Sequence, residues 1–216
     1  MSKKAGRFQF FYASKVVDDL PYPNVPVRDV TNTWHEGHKT EPHLEKQMEN
    51  WCPCRVRYVK KSVWDALQLL EQGGQHYMIL TTRHPKTKKP FAVGLLQFSQ
   101  REYDKARKLH PRRWNDGKYL PYVGSKDSKL VSWKGALNLT PWMKKDHLPG
   151  ARCGCVDIKD DLLKKILEHF RKKTNCHKEF LNNVRFLEKK LKKENPEEWR
   201  RYKKKLDGAT GCKSAC

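Results

Sequence analysis

The sequence is short of acid. Its 216 residues hold 46 Lys and Arg against 24 Asp and Glu, a formal net charge of +22 at pH 7. Self-repulsion of that size opposes a compact chain unless a polyanion is its usual partner. Long apolar runs are missing too. The longest, such as "YMIL" and "VGLLQF", fall far below the roughly 20 residues of a membrane-spanning helix, so no span is expected. The start, "MSKKAGRFQFF", carries charge but lacks the apolar stretch and small-residue cleavage site of a secretory signal. The expected location is therefore intracellular, with reduced cysteines. Seven cysteines, an odd number, also fit a disulfide framework poorly. Internal repeats and low-complexity linkers are absent. So are G-x-x-x-x-G-K-[ST], G-x-G-x-x-G, G-x-S-x-G and His-Glu-x-x-His, which removes the standard phosphate loops, the nucleophile elbow and the commonest zinc-hydrolase helix.

What is present argues for a folded chain that meets nucleic acid. The apolar fraction is low, 37%, yet eight Phe, eight Tyr and seven Trp are too many for a disordered segment. Cations stand beside aromatics at "RRW" (112–114), "SWK" (132–134) and "EWRRYKKK" (198–205). Phosphate neutralisation combined with flat rings is what single-stranded or flipped bases require. Candidate nucleic-acid-binding residues are Trp34, Arg112, Arg113, Trp114, Trp133, Lys134 and Trp142. The basicity is not a tail: residues 156–216 hold 18 Lys/Arg and 10 Asp/Glu, and the first 155 hold 28 and 14. RNA or DNA is the expected partner. An anionic membrane surface is the second choice, and a merely solvated lysine-rich surface is the plainer reading.

Residues 7–17, aromatic and β-branched, read as an opening strand. Four prolines make 18–43 a long loop. "SVWDALQLLEQGG" reads as a helix capped by Ser62, with Val63, Ala66, Leu67 and Leu70 as its apolar stripe and Gly73-Gly74 as its stop. "HYMILTTRHPKTKKPFAVGLLQF" reads as two strands joined by a basic turn containing Pro85. Ser99 and Glu102 suit a short helix to about residue 109. "KYLPYVG" and "KLVSW" read as further strands, and Thr140-Pro141 as the start of a helical turn. Beyond Cys155 the period changes. Ile158, Leu162, Leu163, Ile166, Leu167 and Phe170 mark one amphipathic helix, with Asp160-Asp161 at its N-terminus. Phe180, Val184, Leu187 and Leu191 mark a second, and Pro196 opens a third piece. This order predicts an α+β fold, a small twisted sheet or open β-barrel with flanking helices. The expected division is a body over 1–155, a basic helical extension over 156–206 and a disordered tail over 207–216.

"LLEQGGQHYMIL" followed by "KPFAVGLLQF", with Gly94 in the second strand, resembles the middle of the PUA-like superfamily, which includes the ASCH, EVE and YTH domains. The resemblance covers residues 7–145. It implies a small β-barrel with flanking helices that binds RNA or DNA, in several branches through an aromatic-lined pocket for a modified base. It also implies that at least two of Trp34, Trp51, Trp114, Trp133 and Trp142 share such a pocket; singly, each reads as core. "TNTWHEGHKTEPH" departs from the YTH and EVE patterns, so no cage residue is carried over.

Two Cys-x-Cys pairs, Cys52/Cys54 and Cys153/Cys155, stand far apart in the chain. In extended backbone, i and i+2 share a face, so two pairs can supply a tetrahedral four-sulfur zinc site. Arg55 and Arg152 flank them and would offset its charge. An iron–sulfur cluster, redox-active thiols and inert thiols are the alternatives, and Cys176 or His177 could replace one ligand. His35, His38 and His43 share a loop with Glu36 and Glu41. They read either as a hydrolytic metal centre or as a polar surface loop. The function these features predict is nucleic-acid binding through an unstacked, possibly modified, base, with Lys/Arg contacts to phosphate and a structural zinc. The alternative is a metal-dependent nuclease or base-modifying enzyme using the three histidines. A structural RNA-binding protein without a base pocket is a third reading.

Overall fold

A computed structural model describes residues 3–10, 13–15, 17–27, 68–98, 101, 127–142, 155–201 and 203. They form an α+β body in which two helices flank an open sheet. In chain order the elements are β1 (Lys4–Phe10), β2 (Gln75–Arg83), β3 (Pro90–Phe98), β4 (Lys129–Leu130), β5 (Leu137–Asn138), a 3-10 turn (Thr140–Trp142), β6 (Cys155–Asp157), α1 (Asp160–Arg171) and α2 (His177–Glu194). Residues 196–201 are helical as well. The sheet order is β4-β3-β2-β1-β6, and β5 also pairs with β3. β1 and β2 run parallel, and every other described pair is antiparallel. A parallel neighbour needs a crossover rather than a hairpin. Helical residues 68–71 end that crossover just before β2. Gly73, at φ +73°, stops the turn. Its N–H donates to Leu70 O at 3.0 Å and that of Gly74 to Leu69 O at 2.8 Å. This is the two-bond C-terminal motif in which a left-handed residue favours glycine.

The hairpin β2–β3 is buried on both faces, which is why both strands are apolar runs rather than alternating ones. Met78, Leu80, Val93, Leu96 and Phe98 face α2, packing with Phe180, Val184, Leu187 and Leu191. Tyr77, Ile79, Ala92 and Leu95 face α1, packing with Leu163, Ile166 and Phe170. A bulge between Leu80/Thr81 leaves Val93 without a partner in register. That shift turns Val93 to the same face as Leu96, three residues on. Gly94 fills the tight spot beside it: a Cβ there would lie 2.7 Å from Leu130 Cδ2 and 2.9 Å from Leu80 Cδ1. The bulge also shortens the strand expected over 129–133. Val131 N still donates to Val93 O, but Trp133 N donates to Asn24 O at 2.7 Å, so the chain leaves β3 after two paired residues.

Both helices lie where the apolar spacing put them, with Asp160 and Asp161 in the first turn of α1. The link between them covers the outer edge of β4. Asn175 Oδ1 accepts Leu130 N–H at 3.1 Å, Asn175 Nδ2 donates to Ser128 O at 3.3 Å, and Cys176 N donates to Leu130 O at 2.6 Å. A side-chain amide thus imitates a neighbouring strand, which removes an open edge. Lys129 reaches the end of α1, where Nζ donates to the carbonyls of Phe170, Arg171 and Lys173 at 3.1–3.3 Å. A cation there satisfies acceptors the helix leaves open and opposes the negative end of its dipole.

The loop before α2's face is held chiefly by a buried side chain, with the ion pair Lys190–Asp19 beside it. Asn183, fully buried, accepts Tyr22 N–H at 3.0 Å and donates to Tyr22 O at 2.9 Å and Val25 O at 3.2 Å. This brings Leu20, Val25 and Val27 into the core beside α2. The exposed ion pairs Lys86–Asp18 and Arg201–Glu197 are worth at most about 1 kcal/mol each. Truncating a fully buried phenylalanine such as Phe180 costs about 3–5 kcal/mol. Stability therefore lies in the two apolar layers and in the few buried polar ties. Asn183→Ala is expected to lower unfolding stability by about 1–3 kcal/mol, because loop groups are left buried without partners. Chemical denaturation should show a lower midpoint with an unchanged m-value.

Candidate nucleic-acid interface

The β2–β3 turn carries Arg83, Lys86, Lys88 and Lys89 within seven residues and no acid. Its shape rests on His84. His84 N donates to Lys89 O, and Lys88 N to His84 O, both at 2.9 Å. Lys88 takes a left-handed φ of 60° to close the loop. His84 Nδ1 accepts the N–H groups of Lys86 and Thr87, each at 3.2 Å. Partial burial first, then Lys86 and Lys88, hold the His84 pKa below its ordinary value. The imidazole is therefore neutral at pH 7. Nδ1 acts as the acceptor, which leaves the proton on Nε2.

The ring of His84 stands 4.6 Å from that of Trp133, tilted by 60°. Phe91 completes the group, 6.1 Å from each of the other two rings. Trp133 is half-buried against the core, and Lys134 beside it is exposed. Gly135 N bonds back to Ser132, so 132–135 form a tight turn that presents both residues at the hairpin end of the sheet. Trp142, 41% exposed, lies past β5, which pairs with Phe91 and Ala92 at that same end. The Thr140-Pro141 turn expected there is present, but Asn138 Oδ1 accepts both the N–H and the hydroxyl of Thr140. Tyr22, 40% exposed, is in the loop that also gives Trp133 its backbone partner, Asn24.

Of the seven expected nucleic-acid-binding residues, Trp133, Lys134 and Trp142 lie among the described residues, and all three sit at the hairpin end. Trp34, Arg112, Arg113 and Trp114 lie outside them, as do Trp51, His35, His38 and His43. Cys52, Cys54 and Cys153 also lie outside, and Cys155 is described by its backbone, paired with Gln9. Among the described residues no group of three or more His, Cys, Asp or Glu could hold a metal ion. Cys176 is half-buried on the core, and burial, ahead of the charge of Glu179, pushes its thiol pKa up. His177 stacks on Phe180. Sequence reasoning missed His84 and Phe91. The signal was available in "RHPKTKKPF", an aromatic pair bracketing a run of cations.

Comparison with family models, curated proteins and solved structures gives no match. The hairpin end offers half-buried rings, cations around them and a neutral imidazole. No helix among the described residues is long and apolar enough to cross a membrane.

A second polar group sits at the far end of β2. A cavity of about 370 Å³ is lined by Arg7, Gln68, Gln72, His76 and Asp157, among others. Arg7 Nε donates to Asp157 Oδ1 at 2.8 Å. His76 is buried and stacks on Phe98; burial first, then Arg7, lower its pKa to about 3. The unfolded chain binds that proton near pH 6.5 and the folded one near 3. Between those values the unfolded state holds more protons, so stability is lost as pH falls. Unfolding midpoints are expected to drop as pH falls from about 6.5 toward about 3, and His76→Phe should flatten that slope.

Proposed function

We propose that this protein binds nucleic acid through the hairpin end of its sheet. Arg83, Lys86, Lys88, Lys89 and Lys134 would contact phosphate, and Trp133 with His84 would offer a stacking surface to an unstacked base. The observation that carries this reading is the convergence of Trp133 and Lys134 on the basic β2–β3 turn, 4.6 Å ring to ring at His84. Aromatic faces framed by cations suit bases and phosphates together, and a net charge of +22 suits a polyanion. A neutral His84 adds a ring without adding desolvation of a charge. The reading extends to a PUA-like body around the open sheet and to recognition of a modified base. Nothing among the described residues favours the hydrolytic alternative, whose histidines lie outside them.

A structural zinc held by Cys52, Cys54, Cys153 and Cys155 belongs to the same proposal. A ligand thiol must be deprotonated, and the two Cys-x-Cys pairs supply four of them. Elemental analysis of native protein should give about one zinc per chain for a site of this type, lost in Cys52→Ser. Retention in that variant would move the site to Cys176 or His177.

Filter binding over a salt series tests the main reading. Affinity for RNA or DNA should fall steeply with salt, since each phosphate contact releases condensed counterions. Lys88→Glu with Lys134→Glu should weaken binding at every sequence, whereas Trp142→Ala should act on oligonucleotides whose bases are unpaired. Salt-independent binding, or none, would sink the proposal.

A further inference from the structure

The turn that carries Trp133 and Lys134 does not end at the hairpin. Its next residue, Gly135, accepts a hydrogen bond through its carbonyl from His169 Nε2 of α1 at 2.7 Å. Trp133 and its neighbour Phe91 pack on the α2 side of the sheet, and His169 lies against Phe170 on the α1 side. Residues 133–135 thus cross from one layer to the other, and exposed Lys134 stands at the crossing.

On the α1 side the charge is sorted along the helix. Asp160 and Asp161 occupy the first turn, while Arg171 closes the last and Lys172 and Lys173 follow it. The basic end is the one tied to Gly135. An open hollow of about 580 Å³ is formed there by Lys165, Glu168, His169, Arg171, Lys172 and Lys173. Glu168 is its single acid.

A helix C-terminus ordinarily repels an anion, because unpaired carbonyls give it negative character. Here that obstacle is removed. From the sheet edge Lys129 donates to the carbonyls of Phe170 and Arg171 at that end and to Lys173 O just beyond it. The carbonyls are thereby engaged by a cation that solvent-facing Arg171 and Lys172 need not supply, so those two side chains face outward.

We infer that a single strand of nucleic acid runs from the β2–β3 turn, over Lys134, to the basic end of α1. This deepens, and rests on, the proposed binding site at the hairpin end. Trp133 and His84 take an unpaired base, and Lys165, Arg171 and Lys172 take phosphates further along the same strand. A duplex offers its bases already stacked, so the ring cluster selects the unpaired form. The recognised chemistry is a phosphodiester chain with unpaired bases, and it can come from RNA or from single-stranded DNA.

The test uses the full chain and fluorescent oligonucleotides of about 4 and about 12 nucleotides, both within the usual range of site sizes. Each is made as RNA, as single-stranded DNA and, at the greater length, as a duplex. The variants are Lys165→Glu with Lys172→Glu at the α1 end and Lys88→Glu with Lys134→Glu at the hairpin end. A milder pair, Lys165→Gln with Lys172→Gln, guards against misfolding, and circular dichroism checks each protein. The α1 variants should weaken the long strand about tenfold and leave the short one within about twofold. They should also lower the salt slope by about 0.7 per lost contact. The hairpin variants should weaken both lengths. A preference for RNA or for DNA within the single-stranded arms then names the source.

Loss of long-strand binding in the hairpin variants alone, with the α1 variants unchanged, overturns the extended track while leaving the hairpin site intact. Indifference of both variant sets overturns the hairpin reading itself. Equal affinity for the duplex overturns the single-strand assignment. Vesicles of phosphatidylcholine with phosphatidylserine form the last arm. If the α1 variants lose vesicle binding but keep the oligonucleotide, the partner is a membrane and the inference fails.

Discussion

Everything in this structure depends on a hairpin that has no solvent face. β2 and β3 bury side chains above and below the sheet, so a helix is needed on each side. Fully buried phenylalanines mark the three layers: Phe170 on α1, Phe98 in the sheet and Phe180 on α2. Apolar burial of this kind supplies the main favourable energy of folding. It also leaves the cations no place but the rim, which is how a chain with a net charge of +22 can be compact. The turn of that same hairpin is then free to carry charge, because its backbone is satisfied locally by His84 and Lys89.

Polar side chains buried in or near these layers act as ties between segments distant in sequence. Asn183 holds the loop at 22–25 to α2, Asn175 and Cys176 close the outer edge of β4, and Lys129 finishes α1. Each replaces a backbone partner that regular structure would otherwise provide. They also set the position of the candidate interface. Asn24, from the loop tied by Asn183, gives Trp133 its backbone bond, and α1 holds Gly135 through His169. The ring cluster is thus carried on three segments fixed by separate anchors.

The secondary elements were the most legible part of the sequence. The apolar spacing of 158–170 and 180–191 marked both C-terminal helices, and the run on either side of "RHPKTKK" marked the β2–β3 hairpin. These elements follow from local pattern, so a single sequence carries them. Two features were not legible. The parallel pairing of β1 with β2 joins residues far apart in the chain, which no local pattern records. The bulge at Val93 needs the tight fit of Gly94 against Leu80 and Leu130, and it cut short the strand expected at "KLVSW". At the site, Trp133 and Lys134 were legible from their adjacency. His84 and Phe91 reach them through tertiary packing across the β2–β3 turn, which adjacency does not reveal.

The place of β1 has a consequence for how the chain is made. Its neighbours are β2 on one side and β6 on the other, and β6 begins at Cys155. During synthesis the first strand must wait for partners that emerge much later, and pairing at such long range is slow. Until β6 arrives, β1 lacks its antiparallel neighbour, and until α1 and α2 follow, the hairpin lacks the helices that pack on its two faces. The sheet and its two helical layers are therefore complete only when β6, α1 and α2 have left the ribosome. The exposed interval is one in which a chaperone would protect the nascent chain from aggregation.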